Sequence, residues 1–208
     1  MDAEASSRDL EQAYDEMWRR HLRRADTRTD MNTQRDGALR LNIGGTERRE
    51  GWKILNAVPG AEVDYVGDFT HLAEFADASV DEVYASHVLE HIGYAGELPD
   101  ALGHIYRILK PDGILRVSVP DMDLLFRLYL DPDSDQSRRW EIMRMVFGGQ
   151  IDAFDYHKAG FGWDSLSWHL RQFGFRDIQR VDEFGIFDDT SSLRIGDQLI
   201  SLSVQARK

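Results

Sequence analysis

The chain has 208 residues, of which 42% are hydrophobic, which suffices for one well-buried core and excludes two ordinary domains. Its 37 acidic residues outnumber 25 basic ones, and the resulting formal charge of −12 excludes nucleic acid as the main partner. The absence of cysteine rules out disulfides, thiolate metal sites and cysteine nucleophiles. The start of the chain carries no cationic leader, and no apolar run approaches the roughly 20 residues of a membrane span. We therefore expect a cytoplasmic protein without a membrane span.

Residues 1–38 are predicted to form an amphipathic helix followed by a linker. Apolar residues recur at helical spacing between Leu10 and Leu22, and opposite charges stand four residues apart on the same segment. The stretch from there to residue 38 is polar and has no period. The folded domain is therefore expected to span residues 39–208.

From Leu39 onward, short apolar runs alternate with longer segments suited to helices, which predicts an α/β sheet with helices on both faces. Strands are expected at ALRLNI, WKIL, VDYV, VDEVYAS, ILRVSV, RDIQRV and LISLSVQA. An apolar stripe from Leu98 to Leu109 marks one helix, which Lys110 to Gly113 close. Further helices are expected near residues 121–130, 137–147 and 163–173, the last ending at Gly174.

The first predicted strand ends in a glycine turn, Gly44-Gly45-Thr46, at the edge of the sheet where open α/β proteins bind ligands. A dinucleotide site requires Gly-x-Gly-x-x-Gly at the start of a helix, but the next apolar run follows Gly51, too soon for a crossover helix. No Lys-Ser or Lys-Thr pair follows, so a Walker loop is also excluded. A cofactor without phosphates and a structural turn without ligand remain open. A dinucleotide-dependent oxidoreductase is the weakest alternative.

Four segments of the chain resemble the class I S-adenosylmethionine-dependent methyltransferases, most of all the small bacterial type 11 branch associated with polysaccharide and other small-molecule pathways. They are LNIGGTERREGWKILN, VGDFTHLAEFADASVDEVYASHVLEHI, IYRILKPDGILRVSVPD and HKAGF. The resemblance implies a three-layer, Rossmann-like sheet of seven strands with an antiparallel last strand, and S-adenosylmethionine as cofactor. We expect methyl transfer to an oxygen, less readily a nitrogen, of a small molecule or saccharide, with acceptor-pocket elements within residues 121–196. The oligomeric state is left open.

The resemblance assigns the glycine turn to the methionine part of the cofactor. Gly44, Gly45 and Thr46 match the loop beneath it, although the family usually has glycine where Thr46 stands. Asn56 matches the acidic residue that receives the ribose hydroxyls, but an amide lacks the charge assistance of a carboxylate. These two departures leave open a catalytically weakened partner protein with the same fold.

Later strand ends are assigned to the rest of the cofactor by the same resemblance. Asp68 and Phe69 match the pair that takes the adenine amino group and frames the base. Ser86 and His87 match positions beside the reactive sulfonium. Each has a structural alternative, such as Asp68 capping a helix that starts near Thr70.

The sequence His87-Val88-Leu89-Glu90-His91 spells His-x-x-Glu-His, a zinc motif when it lies in a long helix. Here His87 follows a strand directly, Gly93 comes soon after His91, and a third ligand would be needed. Some methyltransferases that act on catechol-like oxygens use a related Glu-x-x-Glu-His for magnesium. We nevertheless expect no metal, with Glu90 and His91 orienting the loop behind the cofactor.

His157 is predicted to be the catalytic base or the acceptor contact, with His87 as the second candidate. It lies after the fifth strand, where class I enzymes build their acceptor pockets, and the family often has histidine followed by a basic residue there. Methyl transfer needs an aligned nucleophile and the removal of a proton, which a neutral imidazole can accept. A loop histidine in a structural hydrogen bond remains the alternative.

Overall fold

The structure is a computed structural model that describes residues 37–208, so the predicted N-terminal helix and nearly all of its linker lie outside the described residues. Nine strands occur in this described part. They are β1 (Arg40–Ile43), β2 (Trp52–Asn56), β3 (Tyr65–Val66), β4 (Val80–Ser86), β5 (Leu109–Pro120), β6 (Arg176–Val181), β7 (Arg194–Ile195), β8 (Gln198–Leu199) and β9 (Ser201–Arg207).

Seven of these strands form one sheet in the order β3-β2-β1-β4-β5-β9-β6, while β7 and β8 pair as a separate hairpin. The first five strands of the chain run parallel. β9 lies antiparallel between β5 and β6. The predicted seven-stranded Rossmann-like sheet with an antiparallel last strand is therefore confirmed. The strand order reverses between β1 and β4, and their carboxyl ends border the crevice where such sheets bind ligands.

Four α-helices lie within the described residues, at the predicted places: α1 (Glu97–Ile108), α2 (Met122–Leu130), α3 (Gln136–Phe147) and α4 (Trp163–Gln172). Asp121 caps α2 by accepting hydrogen bonds from two backbone N–H groups of the first turn. Gly174 follows α4 with φ +92°, a conformation in which glycine carries no Cβ penalty. Single 3₁₀ turns are formed by Leu89–His91 and Thr190–Ser192.

One local prediction was wrong, and one structural alternative was not found. Lys110 to Gly113 do not simply close α1 but bulge within β5, because Leu109 pairs with Val80 while Ile114 already pairs with Glu82. The chain after Thr70 forms turns up to β4 rather than a helix.

The main hydrophobic core lies where the sheet packs against α1. Leu41 and Ile43 alternate inward from β1, as Val83 and Ala85 do from β4, and all four are fully buried. The apolar stripe of α1 completes this layer with its buried residues Leu98, Ala101, Leu102, Ile105 and Ile108. The predicted helical period thus corresponds to the buried face.

No helix between β1 and β2 covers the opposite face of the sheet, because residues 44–51 connect these two strands through bends and turns. Right-handed crossovers place the β1–β2 and β4–β5 connections on opposite faces, so this face lacks its first helix. Trp52 of β2 and Tyr84 of β4 pack there against Phe187, with ring centroids 5.3 and 5.0 Å away. The long β6–β9 connection therefore substitutes for the absent helix.

Polar contacts hold the β6–β9 connection on the sheet. The Tyr84 hydroxyl donates a hydrogen bond of 2.7 Å to the carboxylate of Asp189, and burial together with this carboxylate raises the pKa of Tyr84. The Arg49 guanidinium, from the short β1–β2 connection, donates to the carbonyl of Ile186 and lies 5.8 Å from the ring centre of Phe187. The two irregular connections therefore hold each other in place.

None of the helices in residues 37–208 is both long enough and apolar enough to cross a membrane.

Candidate active site

The glycine turn leaves β1 at the carboxyl edge of the sheet. Gly44 has φ +78°, and its N–H donates to the carbonyl of Leu55 at 2.8 Å. A Cβ on Gly44 would collide with the side chain of Val88, and one on Gly45 would collide with the side chain of Asn42. Both glycines are therefore required by the packing of the chain itself, whatever the turn binds.

Asn56, at the end of β2, clamps this turn from the neighbouring strand. Its Nδ2 donates to the carbonyls of Gly44 at 3.1 Å and Gly45 at 3.0 Å. Its Oδ1 accepts from the N–H of Val58 at 2.9 Å. Both amide hydrogens are thus engaged, and a ligand can use only the remaining lone pair of Oδ1. The amide that departs from the family pattern has a structural task which a carboxylate cannot perform.

Asp68 follows β3 and lies next along the same edge. Gly67 connects it to β2 through a hydrogen bond of 3.0 Å to the Asn56 carbonyl. Oδ1 of Asp68 accepts from the N–H of Thr70 at 2.8 Å, which caps a turn. Its side chain is 43% exposed, and within residues 37–208 the polar neighbour of Oδ2 is His71 Nδ1, at 4.0 Å. One carboxylate oxygen therefore remains for a ligand, beside the half-buried ring of Phe69, which packs on the main core.

Ser86 and His87 end β4, and the Ser86 hydroxyl oxygen is buried. His87 has φ +52°, a conformation uncommon outside glycine. Its N–H donates to the carbonyl of Ser118 at 2.8 Å, and its Nε2 lies 2.8 Å from the Ser201 hydroxyl. Its Nδ1 lies 3.1 Å from Oε1 of Glu90. Both ring nitrogens of His87 thus face protein groups.

The segment that carries His157 is joined to the same place from far along the chain. The N–H groups of Lys158 and Ala159 donate to the backbone carbonyl of Glu90, at 2.7 and 3.1 Å. The rings of His157 and His91 consequently meet edge to face with centroids 4.8 Å apart. Burial lowers the pKa of His157, while the charge of Glu90 opposes this shift. His157 is thereby placed beside Glu90, His91 and His87.

Sequence reasoning treated His157 and the His-x-x-Glu-His motif as separate features, and the structure brings them together. It also missed Ser201, which holds the ring of His87 from β9, 114 residues away. No local pattern marks Ser201, because its contact depends on the pairing of β9 with β5.

The contacts connect the predicted residues in one order along the carboxyl edge. Asp68 joins Asn56 through Gly67, Asn56 joins the glycine turn, and Gly44 touches Val88 in the turn that carries Glu90. Thr46 is exposed at the outer end of the glycine turn. This edge offers a backbone turn, a free carboxylate oxygen and a histidine cluster, which suits a polar cofactor lying across the strand ends and an acceptor beside it.

Residues 47–117 match a family model described as a methyltransferase domain. That match covers β2 to β4 and most of β5, with Asn56, Asp68 and Glu90 but without the glycine turn and His157. Together with the strand order, it confirms the class predicted from the sequence. Residues 47–117 are thus similar to a methyltransferase domain, and the sheet has the fold of the class I S-adenosylmethionine-dependent methyltransferases, a class whose cofactor is S-adenosylmethionine.

Solved structures agree on the fold at low sequence identity. A SAM-dependent methyltransferase from Archaeoglobus fulgidus aligns with TM-score 0.53 and 17% identity over 93% of this chain and 94% of that one. The 1,6-didemethyltoxoflavin-N1-methyltransferase of Burkholderia thailandensis was solved with bound 1,6-didemethyltoxoflavin and S-adenosylhomocysteine. It aligns with TM-score 0.53 and 18% identity over 100% of this chain and 91% of that one. The CurJ carbon methyltransferase gives 0.51 and 15%, and the alignment covers 86% of this chain and 50% of that one. No curated protein matches the sequence.

Proposed function

We propose that the chain transfers a methyl group from S-adenosylmethionine to an oxygen, and less readily to a nitrogen, of a small molecule or saccharide. The observation that carries this proposal is the cluster of His87, Glu90, His91 and His157, which stands next to the glycine turn through the contact of Val88 with Gly44. The charge of −12 supports an acceptor other than nucleic acid. The cytoplasmic location stays a prediction from the sequence.

The residues that would hold the cofactor follow the strand ends. Gly44, Gly45 and Thr46 would lie beneath its methionine part, and the free oxygen of Asp68 would accept a hydrogen bond from the adenine amino group beside Phe69. Asn56 has only one lone pair left for the ribose, so its main contribution would be to hold the turn in shape. The available carboxylate oxygen and the exposed turn are the two observations that fit the cofactor.

The acceptor would approach from the side of the histidine cluster. Bound S-adenosylmethionine supplies an activated methyl group, so the chain's own residues have to align the acceptor and receive its proton. His157 is half-buried beside Glu90 and is our first choice for the acceptor contact. His87 is the second choice, close to the sulfonium position, with Ser86 before it.

The proposal is tested first by ligand binding. A ligand at a hundredfold excess over its Kd stabilises the folded state by about 2.7 kcal/mol. For a domain of this size that corresponds to a rise of about 5–10 °C in Tm with S-adenosylhomocysteine, while NAD should give none. Transfer of labelled methyl groups to a panel of hydroxylated small molecules and sugars then tests the reaction.

The acceptor side is tested by His157→Ala with His169→Gln as matched control, since His169 packs on α4 against Trp168, outside the cluster. His157→Ala should lower turnover and leave the affinity for S-adenosylhomocysteine nearly unchanged. Loss of cofactor binding with an intact fold would contradict this placement.

A second candidate function is a weakened member of the same fold that serves as a partner subunit. The hydrogen bonds of Asn56 favour it, because its donors are spent on the glycine turn. Thr46→Gly should increase the thermal shift if the branched side chain only weakens binding. If neither the wild type nor Thr46→Gly responds to S-adenosylhomocysteine, the partner role replaces the enzyme.

A further inference from the structure

We propose that Glu90, His91 and His157 bind one divalent transition-metal ion. One ligand atom from each of these side chains lies within 4.8 Å of the other two. The sequence motif lacked a long helix and a third ligand, and was therefore expected to hold no metal. His157 supplies that third ligand from a distant segment, and the 3₁₀ turn Leu89–His91 replaces the helix.

The strongest support is the state of Glu90. Its side chain is 1% exposed, and among the described residues neither carboxylate oxygen has a hydrogen bond. His87 Nδ1 lies 3.1 Å from Oε1 but outside hydrogen-bond geometry. A buried carboxylate that accepts no hydrogen bond and has only the His87 ring as a possible ion-pair partner among the described groups is destabilising, so compensation by a cation is expected at this place.

His91 is arranged as metal-binding histidines usually are. Its Nδ1 lies 3.3 Å from the carbonyl of Tyr156. A backbone acceptor for one ring nitrogen fixes the ring and leaves the other nitrogen for the ion. His87 differs, because Ser201 and Glu90 face its two nitrogens, so with an ion bound it would position Glu90 and leave the acceptor contact to the other residues of the cluster.

The distances require only a small contraction. Nitrogen and oxygen ligands lie about 2.0–2.2 Å from zinc, which in a tetrahedron puts them roughly 3.3–3.5 Å from one another. Each pair of ligand atoms therefore has to close by at most about 1.5 Å from the observed limit of 4.8 Å. Neither histidine is fully buried, so ring rotations can supply this movement.

Two imidazoles and one carboxylate are a ligand set that suits zinc, cobalt and iron rather than calcium or magnesium. Three protein ligands leave at least one coordination position for water or a substrate oxygen. Resting on the proposed function, this open position would take a hydroxyl oxygen of the acceptor, and His157 would then contact the acceptor through the ion.

The experiment measures metal binding directly on the full chain. Protein stripped with a chelator is titrated with Zn²⁺ by calorimetry, and with Co²⁺ by visible absorption, which reports ligand number and geometry. We expect one ion per chain in the wild type and in His169→Gln. His87→Asn should weaken Zn²⁺ binding by about 10–100-fold, as outer-shell substitutions do, and His91→Ala by more than that.

Glu90→Gln keeps the shape of the buried side chain but removes its charge, and circular dichroism checks its fold. Should it fail to fold, His91→Ala and His157→Ala carry the test. A wild type that binds no ion, or ligand variants that bind it as tightly as His169→Gln, would overturn the inference. The affinity for S-adenosylhomocysteine, measured on the stripped protein, separates the two proposals. If the stripped protein does not bind S-adenosylhomocysteine, the proposed methyltransferase function is contradicted, but the metal site is not. If the protein binds S-adenosylhomocysteine but no metal ion, the metal site alone is contradicted.

Discussion

The family pattern and the structure of this chain predict opposite effects of replacing Asn56 by aspartate. The family pattern predicts that a carboxylate improves the contact to the ribose. The structure predicts a cost, because Nδ2 of Asn56 donates to the carbonyls of Gly44 and Gly45 at 3.1 and 3.0 Å. In Asn56→Asp these two donors are lost, and a carboxylate oxygen faces two carbonyl oxygens.

The magnitude follows from the two hydrogen bonds. Each neutral hydrogen bond contributes about 0.5–1.5 kcal/mol, so Asn56→Asp should lower the free energy of unfolding by about 1–3 kcal/mol. For a domain of about 200 residues this lowers Tm by roughly 2–12 °C. The drop should appear in ligand-free protein, measured by calorimetry or circular dichroism.

The control is Asn56→Ala, which loses these two hydrogen bonds and also the one that Oδ1 accepts from the Val58 N–H, without adding a charge. It should lower Tm as well, which shows that the lost amide is sufficient to destabilise the turn. If Asn56→Asp melts at the wild-type temperature, the amide is not the clamp of the glycine turn. Calorimetry with S-adenosylhomocysteine then shows whether the carboxylate contributes to the ribose contact instead.

Three further predictions concern other parts of the molecule. Asp68→Ala should weaken binding of S-adenosylhomocysteine by about 1.5–3 kcal/mol, measured by calorimetry, and unchanged affinity would remove the adenine from this position. Phe187→Ala should cost about 3–5 kcal/mol of stability, because its ring is 9% exposed over β2 and β4; a loss under 1 kcal/mol in chemical denaturation would contradict its role as cover. Burial raises the pKa of Asp81, but hydrogen bonds from Lys110 and from the N–H of Leu39 outweigh it and lower that pKa below 3.8. The stability that Asp81→Asn removes should therefore be fully present above pH 4 and vanish as the pH falls below the lowered pKa, which denaturation across pH would show.

Local patterns were enough to predict most of the strands and the four helices, whereas the seven-stranded sheet with an antiparallel last strand was implied by the resemblance to the family. The period of α1 and the apolar strands are properties of short segments, and Gly174 marks the end of α4 because its φ of +92° favours glycine. The bulge at Lys110 to Gly113 was missed because a turn sequence looks the same whether it separates two elements or interrupts a strand.

The roles of the candidate site residues stay predictions, and their contacts could not be predicted. The resemblance to the family assigned Gly44, Asn56 and Asp68 to the cofactor, and the structure places them at the ends of β1, β2 and β3. The use of the Asn56 amide hydrogens and the meeting of Glu90 with His157 depend on the relative position of segments far apart in the chain. Such contacts leave no period or spacing in a single sequence.

Residues 184–187 cover Trp52 and Tyr84 on the sheet, and this affects the order in which the chain can fold during synthesis. Arg49 and Ile186, which hold this cover to the sheet, are 137 residues apart. At about 5–20 residues per second on the ribosome, that interval corresponds to roughly 7–27 s of synthesis. For most of this time, once Tyr84 has been synthesised, Trp52 and Tyr84 are present without Phe184 and Phe187, whose rings later pack on them. Among the described residues, a chain that stops before Phe184 therefore lacks the aromatic cover of Trp52 and Tyr84, and it also lacks β9, the strand that joins β5 to β6.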